Sequence, residues 1–397
     1  MINLAIRDVR QSLGRYLLTG VGLGLLIGVT LTMAGVYRGM ADDAQTLLRS
    51  AGADIWVVQQ HTLGPFAEPS SIHDDAWRSI RGLPGVAETG NVTFLTMQVA
   101  KGAQDVRAMV AGYEPGRPGE PAFLIAGRPV TRSHYEAIAD AQSGFAVGDR
   151  IRIRRHEYTV VGLTRRMVTS GGDPMIFIPL KDAQEAQFLK DNDAVREERN
   201  RLAQNPAINR PGVPGLLEAV GELQTANRYV NAVLVRVAPG WDAGEVAAEI
   251  RRWRRLQAFT SAEMEQVLVG TVIERAAKQI GLFLVILTIV SIAIVAFIIY
   301  SMTAGKLREI AVLKLIGTRN RTIAAMILQE ALGLGVIGFF VGRHAAQLWA
   351  PVFPRHILLL PEDALRALVL ALTACTLASL IGIRLALRVD PAEAIGG

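Results

Sequence analysis

QIGLFLVILTIVSIAIVAFIIYSMTAGKLREIAVLKLIGTRNR, residues Gln279–Arg321, is the stretch on which the fold turns. No charged residue lies between Gln279 and Gly305. A bilayer core about 30 Å thick needs roughly 20 helical residues, so this run crosses a membrane. A short charged segment follows, Lys306 to Arg321, and then another apolar run begins at Thr322. Such an apolar–basic–apolar order is two spans joined by a short loop.

Working outward, the same reading gives four transmembrane helices, at 16–37, 279–303, 322–342 and 367–387. Arg15 and Arg38 bracket the first, Arg321 and Arg343 the third, and Arg384 in the fourth snorkels toward the headgroups. The apolar fraction of 50% and mean hydropathy of +0.29 agree with a membrane protein rather than a soluble enzyme. The first run exceeds the roughly 7 to 15 apolar residues of a signal core, and no A-x-A pattern closes it, so it reads as a retained anchor. Arg7, Arg10 and Arg15 precede it; Lys306, Arg308, Lys314, Arg319 and Arg321 lie between the second and third spans; Arg384 and Arg388 close the fourth. Positive charge of this kind faces the cytoplasm, so both termini are expected inside an inner (plasma) membrane. The net charge of +6 belongs to these membrane flanks and not to nucleic-acid binding. A single cysteine, Cys375, excludes an intrachain disulfide framework and a zinc site built on several thiolates.

The segment 38–278 is too polar to be membrane. Strand-like runs recur at Asp54–Gln59, Val92–Ala100, Arg107–Tyr113, Arg150–Arg154, Tyr158–Leu163, Met175–Pro179 and Val230–Val237, with helical runs at Asp74–Gly82, Leu180–Leu189 and Ala243–Leu256. These imply a large extracytoplasmic α+β domain, of open sheets and possible subdivision into two, between spans one and two. Lys101-Gly102 reads as a hairpin tip. Asp191–Pro214, rich in Asn, Arg and Pro, reads as a surface excursion or a mobile insertion.

Catalytic signatures are missing. There is no H-E-x-x-H among His61, His73, His134, His156, His344 and His356, no G-x-S-x-G elbow and no G-x-x-x-x-G-K-[ST] phosphate loop. The chain is therefore not expected to be an enzyme or to hydrolyse ATP by the P-loop route on its own. His73-Asp74-Asp75 reads as helix capping and dipole pairing, not a metal cluster. Arg251, Arg252, Arg254 and Arg255 read as a solvated face.

Two features inside the spans are informative. Gly20, Gly24 and Gly28 recur every fourth residue, and Gly338 and Gly342 repeat the spacing in the third span; such a stripe lets another backbone approach closely, in the same chain or in a second copy. Glu330 lies about nine residues, roughly 13 Å of helix, beyond Arg321. An intramembrane carboxylate needs protein or water around it, which implies pairing or hydrogen bonding to another helix.

Between the spans, Leu307, Ile310, Ala311, Leu313 and Lys314 fall at helical spacing, with Lys306, Arg308 and Glu309 on the polar side and Gly317 where a C-terminal cap would stop the helix. This is a short amphipathic helix, lying on lipid or docking a cytosolic partner.

KLREIAVLKLIGT at Lys306–Thr318 resembles the "REI-x-x-L-(R/K)-x-(L/I)-G-(A/T)" coupling segment of the FtsX-like permeases of ABC systems, the group that includes the macrolide exporter MacB and the lipoprotein-releasing permeases. Gln329-Glu330 with the following glycines resembles that family's third span, and Asp390-Pro391-Ala392-Glu393-Ala394 its terminal "P-x-E-A-L". Leu4–Gly28 resembles its opening stretch; Val147–Arg150 with Tyr158–Gly162 resembles strands of its outer domain. Unlike MacB, this chain carries no ATPase domain, and Ala194–Gly215 matches no feature of the family. The resemblance implies a permease partnered by a second copy of itself or a similar permease and by two cytosolic ATPase subunits, which hold the ATP and Mg. It further implies Lys306, Leu307, Arg308, Glu309, Ile310, Leu313, Lys314 and Gly317 as the ATPase-coupling segment, with a periplasmic adaptor and an outer-membrane channel as further partners. The function implied is export or extraction of a lipid, lipoprotein, glycolipid or drug; the alternative is an FtsX-like scaffold that activates a cell-wall hydrolase without transport.

Overall fold

The computed structural model describes residues 13–102, 104–187, 197, 200–205, 228–353 and 355–388. The chain divides into two compact units, Met1–Met40 with Glu274–Gly397, and Ala41–Ile273. Helix α1 (Leu13–Ser50) gives its first part to the former and its last residues to the latter. It continues beyond the expected end at residue 37 because Met40, Ala44, Leu47 and Leu48 keep helical spacing and are all buried.

The α+β unit is built on one ten-stranded mixed sheet. In chain order its elements are β1 (Ile55–Gln59), β2 (Ile72–His73), α2 (Ala76–Arg81), β3 (Val86–Lys101), β4 (Gln104–Tyr113), β5 (Leu124–Gly127), β6 (Glu136–Asp140), β7 (Arg150–Ile153), β8 (His156–Thr164), β9 (Met175–Pro179), α3 (Leu180–Gln187), β10 (Tyr229–Val230), β11 (Ala232–Val237), α4 (Ala243–Arg251), β12 (Leu256–Thr260) and α5 (Ser261–Val267). The sheet runs β12-β1-β11-β3-β4-β9-β6-β8-β5, with β7 against β3 and β8, while β2 and β10 pair separately. Strand β3 joins its two halves: Val86–Val92 pair with β11, and Thr93–Lys101 with β4 around the turn at Gly102. Each half has its own apolar core, one around Ile55, Val57, Val233 and Ile250, the other around Val110, Ile151, Ile176 and Ile178. The subdivision that the sequence implies is thus two halves of one sheet that share β3 and have separate cores.

The expected strands are present, most with shifted ends, and four others, β2, β5, β6 and β12, appear. The expected helix to Leu256 instead ends at Arg251, and β12 follows so as to pair with β1. Arg251 secures that turn, bonding the Ala258 carbonyl at 2.7 Å and pairing with Glu263. In β6 both end carboxylates are buried. Glu136 accepts bonds from Arg128 at 2.6 and 3.0 Å and from the Thr131 and Arg132 amides. The Arg128 guanidinium, with those amides, holds the Glu136 carboxyl down at about 2. Asp140 accepts from the Gln142 and Met167 amides, while burial pushes its carboxyl up. Asp75 occupies the N-cap of α2 but makes no side-chain cap bond; its carboxylate meets His73 at 3.1 Å instead, which corrects the capping expectation. The 191–214 stretch lies outside the described residues except 197 and 200–205.

The helical unit contains α6 (Glu274–Ala304), α7 (Leu307–Leu315), α8 (Asn320–Trp349) and α9 (Pro361–Arg388). A six-residue π-helical stretch, Leu268–Ile273, precedes α6. Together with α1, helices α6, α8 and α9 are long and apolar enough to cross a membrane. Each runs past the expected span: α6 starts before residue 279, α8 continues to Trp349, and α9 begins at Pro361, a residue suited to a first helical position because its missing N–H is not needed there. Helix α9 packs against both α6 and α8. The core gathers Leu23, Ile27 and Leu31 of α1, Val295 and Ile299 of α6, Ile323, Ile327 and Leu334 of α8, and Cys375 and Ala378 of α9. Near the start of α9, Arg38 meets Asp363 at 2.7 Å and the Leu358 amide donates to the Gly35 carbonyl at 3.1 Å. The chain is a membrane protein of four transmembrane helices with a large α+β domain between the first and second.

Candidate functional site

Short helix α7 and its supports form the candidate site. Lys306 sits at its N-cap, and its ammonium lies 3.2 and 3.3 Å from the two carboxylate oxygens of Glu330 on α8. Both side chains are largely buried, 16% and 10% exposed, so the pair is screened little by water. Tyr16 of α1 donates to the backbone carbonyl of Glu330 at 2.6 Å, tying a third helix to the same turn. At the other end of α7, Lys314 donates to the Leu387 carbonyl of α9 at 3.0 Å. Glu330 is thus paired, as an intramembrane carboxylate requires, and its partner comes from the loop after α6, a position the sequence reading did not assign to it.

Helix α7 ends in a Schellman motif. The Gly317 amide donates to the Lys314 carbonyl and the Thr318 amide to the Leu313 carbonyl, both at 3.0 Å, with Gly317 at φ +92°. That left-handed conformation is why glycine stands there. The chain then turns directly into α8 at Asn320.

Ile310 and Ala311 are buried, at 1% and 0% exposed, and Ile310 belongs to the cluster that holds Ile323, Ile327 and Ala386. Leu307, Leu313 and Lys314 are half-buried, whereas Arg308 and Glu309 are exposed. The outward apolar residues are Val312, Leu315 and Ile316, exposed by 45%, 61% and 76%. Ile310, one residue of the expected coupling segment, is thus turned into the bundle, while Val312, Leu315 and Ile316, which that expectation did not include, are exposed. Their signal was in the sequence: 308, 312, 315 and 316 fall at i, i+4, i+7 and i+8, a second stripe beside the one at 307, 310, 311 and 314.

The glycine stripes are brought together within one chain. A β-carbon on Gly24 would stand 2.6 Å from Val341 and 3.0 Å from the Gly338 carbonyl; one on Gly342 would stand 2.6 Å from the Gly24 carbonyl and 2.9 Å from the Gly28 amide nitrogen. Gly20 faces Ile337 and Gly338 faces Leu23 in the same seam. Helices α1 and α8 thus approach backbone to backbone through Gly24, Gly28, Gly338 and Gly342, with Gly20 receiving the Ile337 side chain, which occupies the stripe in the packing of this bundle. Asp390–Ala394 and residues before Leu13 lie outside the described residues.

Residues 16–253 match the model of the MacB-like periplasmic core domain, and residues 281–391 that of the FtsX-like permease C-terminal region. An uncharacterized ABC transporter permease of Mycobacterium tuberculosis is 27% identical over 401 residues, covering 100% of both chains. One of Mycobacterium bovis is 25% identical over 401 residues with the same coverage. Among solved structures, the extracellular domain of the noncanonic ABC-type transporter YknZ from Gram-positive bacteria aligns with TM-score 0.35 and 11% identity, covering 52% of this chain and 99% of that one. The periplasmic region of MacB from Actinobacillus actinomycetemcomitans aligns with TM-score 0.34 and 10% identity, covering 56% and 95%.

Proposed function

The chain belongs to the MacB- and FtsX-type ABC transporter permeases, and on that premise we propose that α7 is the lever on which a separate cytosolic ATPase works. The observation that carries this reading is a helix with two faces, one fastened and one bare. Ile310 and Ala311 lock the inner face into the core, while Val312, Leu315 and Ile316 present apolar surface beside the exposed Arg308 and Glu309. An apolar centre with a charged rim is the composition of a protein–protein contact. Movement of a rigid partner there reaches α8 through Lys306–Glu330, α9 through Lys314–Leu387, and α1 through Tyr16 and the glycine seam.

In this reading α7 and both termini face the cytoplasm of an inner-membrane protein, because the basic residues cluster there. The nucleotide and its Mg reside on the partner. Two copies of this chain, or one copy with a similar permease, stand over two ATPase subunits, and their closure moves α1, which carries the stroke toward the α+β domain through its extension to Ser50. The work done is export or extraction of a substrate from the membrane or the periplasm, with an adaptor protein and an outer-membrane channel as further partners.

The test is a double substitution on the bare face, Leu315→Asp with Ile316→Asp. Both side chains are exposed, so the bundle is expected to keep its thermal midpoint. Recovery of the cognate ATPase with the purified permease should fall about tenfold or more, as for loss of central contact residues. Undiminished recovery would place the grip elsewhere. Leu313→Pro is less informative, since it also disturbs the half-buried side of the helix and the carbonyl that holds Thr318.

A further inference from the structure

Strand β5 ends the sheet, and all four of its residues are exposed. Just before and within it, Phe123, Leu124 and Ile125 are 57%, 40% and 50% exposed. Three consecutive bare apolar side chains on a water-facing domain are unfavourable unless something covers them. They form one wall of a cleft of about 490 Å³ whose other walls are Thr46 and Arg49 of α1 and the pair Arg165-Arg166. That volume falls in the range of small-molecule sites.

The polar side of the cleft is cationic and firmly mounted. Arg49 projects from a helix turn whose neighbours Leu47 and Leu48 are buried. The Arg165 amide donates to the Phe123 carbonyl at 3.2 Å, which fixes the two walls together. Arg166 is engaged by Asp42 and lies 3.3 Å from the Thr46 hydroxyl. Among the described residues, no carboxylate lies within ion-pair distance of Arg49 or Arg165, and both are exposed. Guanidinium groups match phosphate oxygens in charge and in fork geometry.

We propose that this cleft binds one phosphate-headed amphiphile, with its head on Arg49 and Arg165 and its acyl chain along Phe123, Leu124 and Ile125. A cation pair next to an apolar wall asks for a ligand with both parts. Addition of a peptide strand is disfavoured by the edge itself, because β5 is four residues long, its register with β8 breaks between Leu124 and Ala126, and Gly127 stands at φ +78°. The concave shape favours a single molecule over the flat face of a bilayer.

The experiment uses the full chain in phosphatidylcholine nanodiscs with a phosphatidic acid analogue that carries a photoactivatable group on its acyl chain. Labelled peptides are mapped by mass spectrometry, and labels on the spans serve as an internal measure of how much analogue enters the disc. The wild type should be labelled at 123–125. Arg49→Gln with Arg165→Gln should lower that yield about tenfold with span labelling unchanged, the scale expected for losing charge-assisted hydrogen bonds; Phe123→Ser should lower it as well. Equal labelling in the arginine variant, or by an uncharged diacylglycerol analogue, would overturn the proposal. So would complete protection by inorganic phosphate, which would mean a bare anion site. No nucleotide or partner is needed, so failure here leaves the coupling role of α7 untouched.

Discussion

Helices α6 and α8 are both apolar enough to span a membrane, yet α6, the more apolar of the two, is 11% buried across its most apolar window and α8 is 44% buried. In water the order would be the reverse. Lipid tails are as apolar as leucine, so hydrophobicity earns no place in the interior of a bilayer bundle; shape and polar contacts assign it. Helix α8 has Gly338 and Gly342 against α1 and Glu330 against Lys306, whereas α6 turns Leu282, Phe283, Ile289 and Phe297 outward.

The strongest way to break this contrast is Gly342→Leu. Its side chain would enter the space of the Gly24 carbonyl and the Gly28 amide, which are backbone and cannot turn aside. We expect a loss of about 3 kcal/mol or more, at the top of the overpacking range, read as a lower midpoint in detergent unfolding. A variant as stable as the wild type would mean that the seam is loose.

Lys306→Met sharpens the polar half of the argument. It removes the cation 3.2 Å from Glu330 and should cost roughly 2 to 3 kcal/mol, somewhat under the usual figure for a fully buried pair because both side chains keep some exposure. Adding Glu330→Leu should restore most of the loss, since an apolar pair of similar volume replaces an ionic one at little cost. If the double variant is no better than the single, the carboxylate has a role beyond pairing.

Leu282→Ala on α6 should change stability by less than about 0.5 kcal/mol, because the side chain is 63% exposed in the single chain and exchanges lipid for lipid. A cost near that of a core leucine, about 2 kcal/mol or more, would show that a second copy covers this face.

The same contrast explains what was legible in the sequence. The spans were, because 20 uncharged residues are a local property. So were most strands of the α+β domain, where period-two runs such as Arg150–Ile153 announce themselves. Strand β6 was hidden because Glu136 and Asp140 bracket a short Ala-Ile-Ala run and suggest a loop; Arg128 and the Met167 amide, far from them in pattern, make their burial tolerable. In α7 the sequence showed a helix and its glycine stop, but with apolar residues on both sides it did not show which stripe faced inward.

By itself, then, the sequence determined the four crossings, the α+β character of the long segment between the first two, and the short helix with its cap, because hydropathy, periodicity and left-handed glycine geometry each act over a few residues. Only the tertiary structure decided that Ile310 turns in and Leu315 out, that Glu330 meets Lys306, that the glycines of α1 close on those of α8, and that Arg49 and Phe123 share a cleft. Each of these depends on atoms brought within a few ångströms from distant parts of the chain, where sterics and electrostatics, not local propensity, choose the outcome.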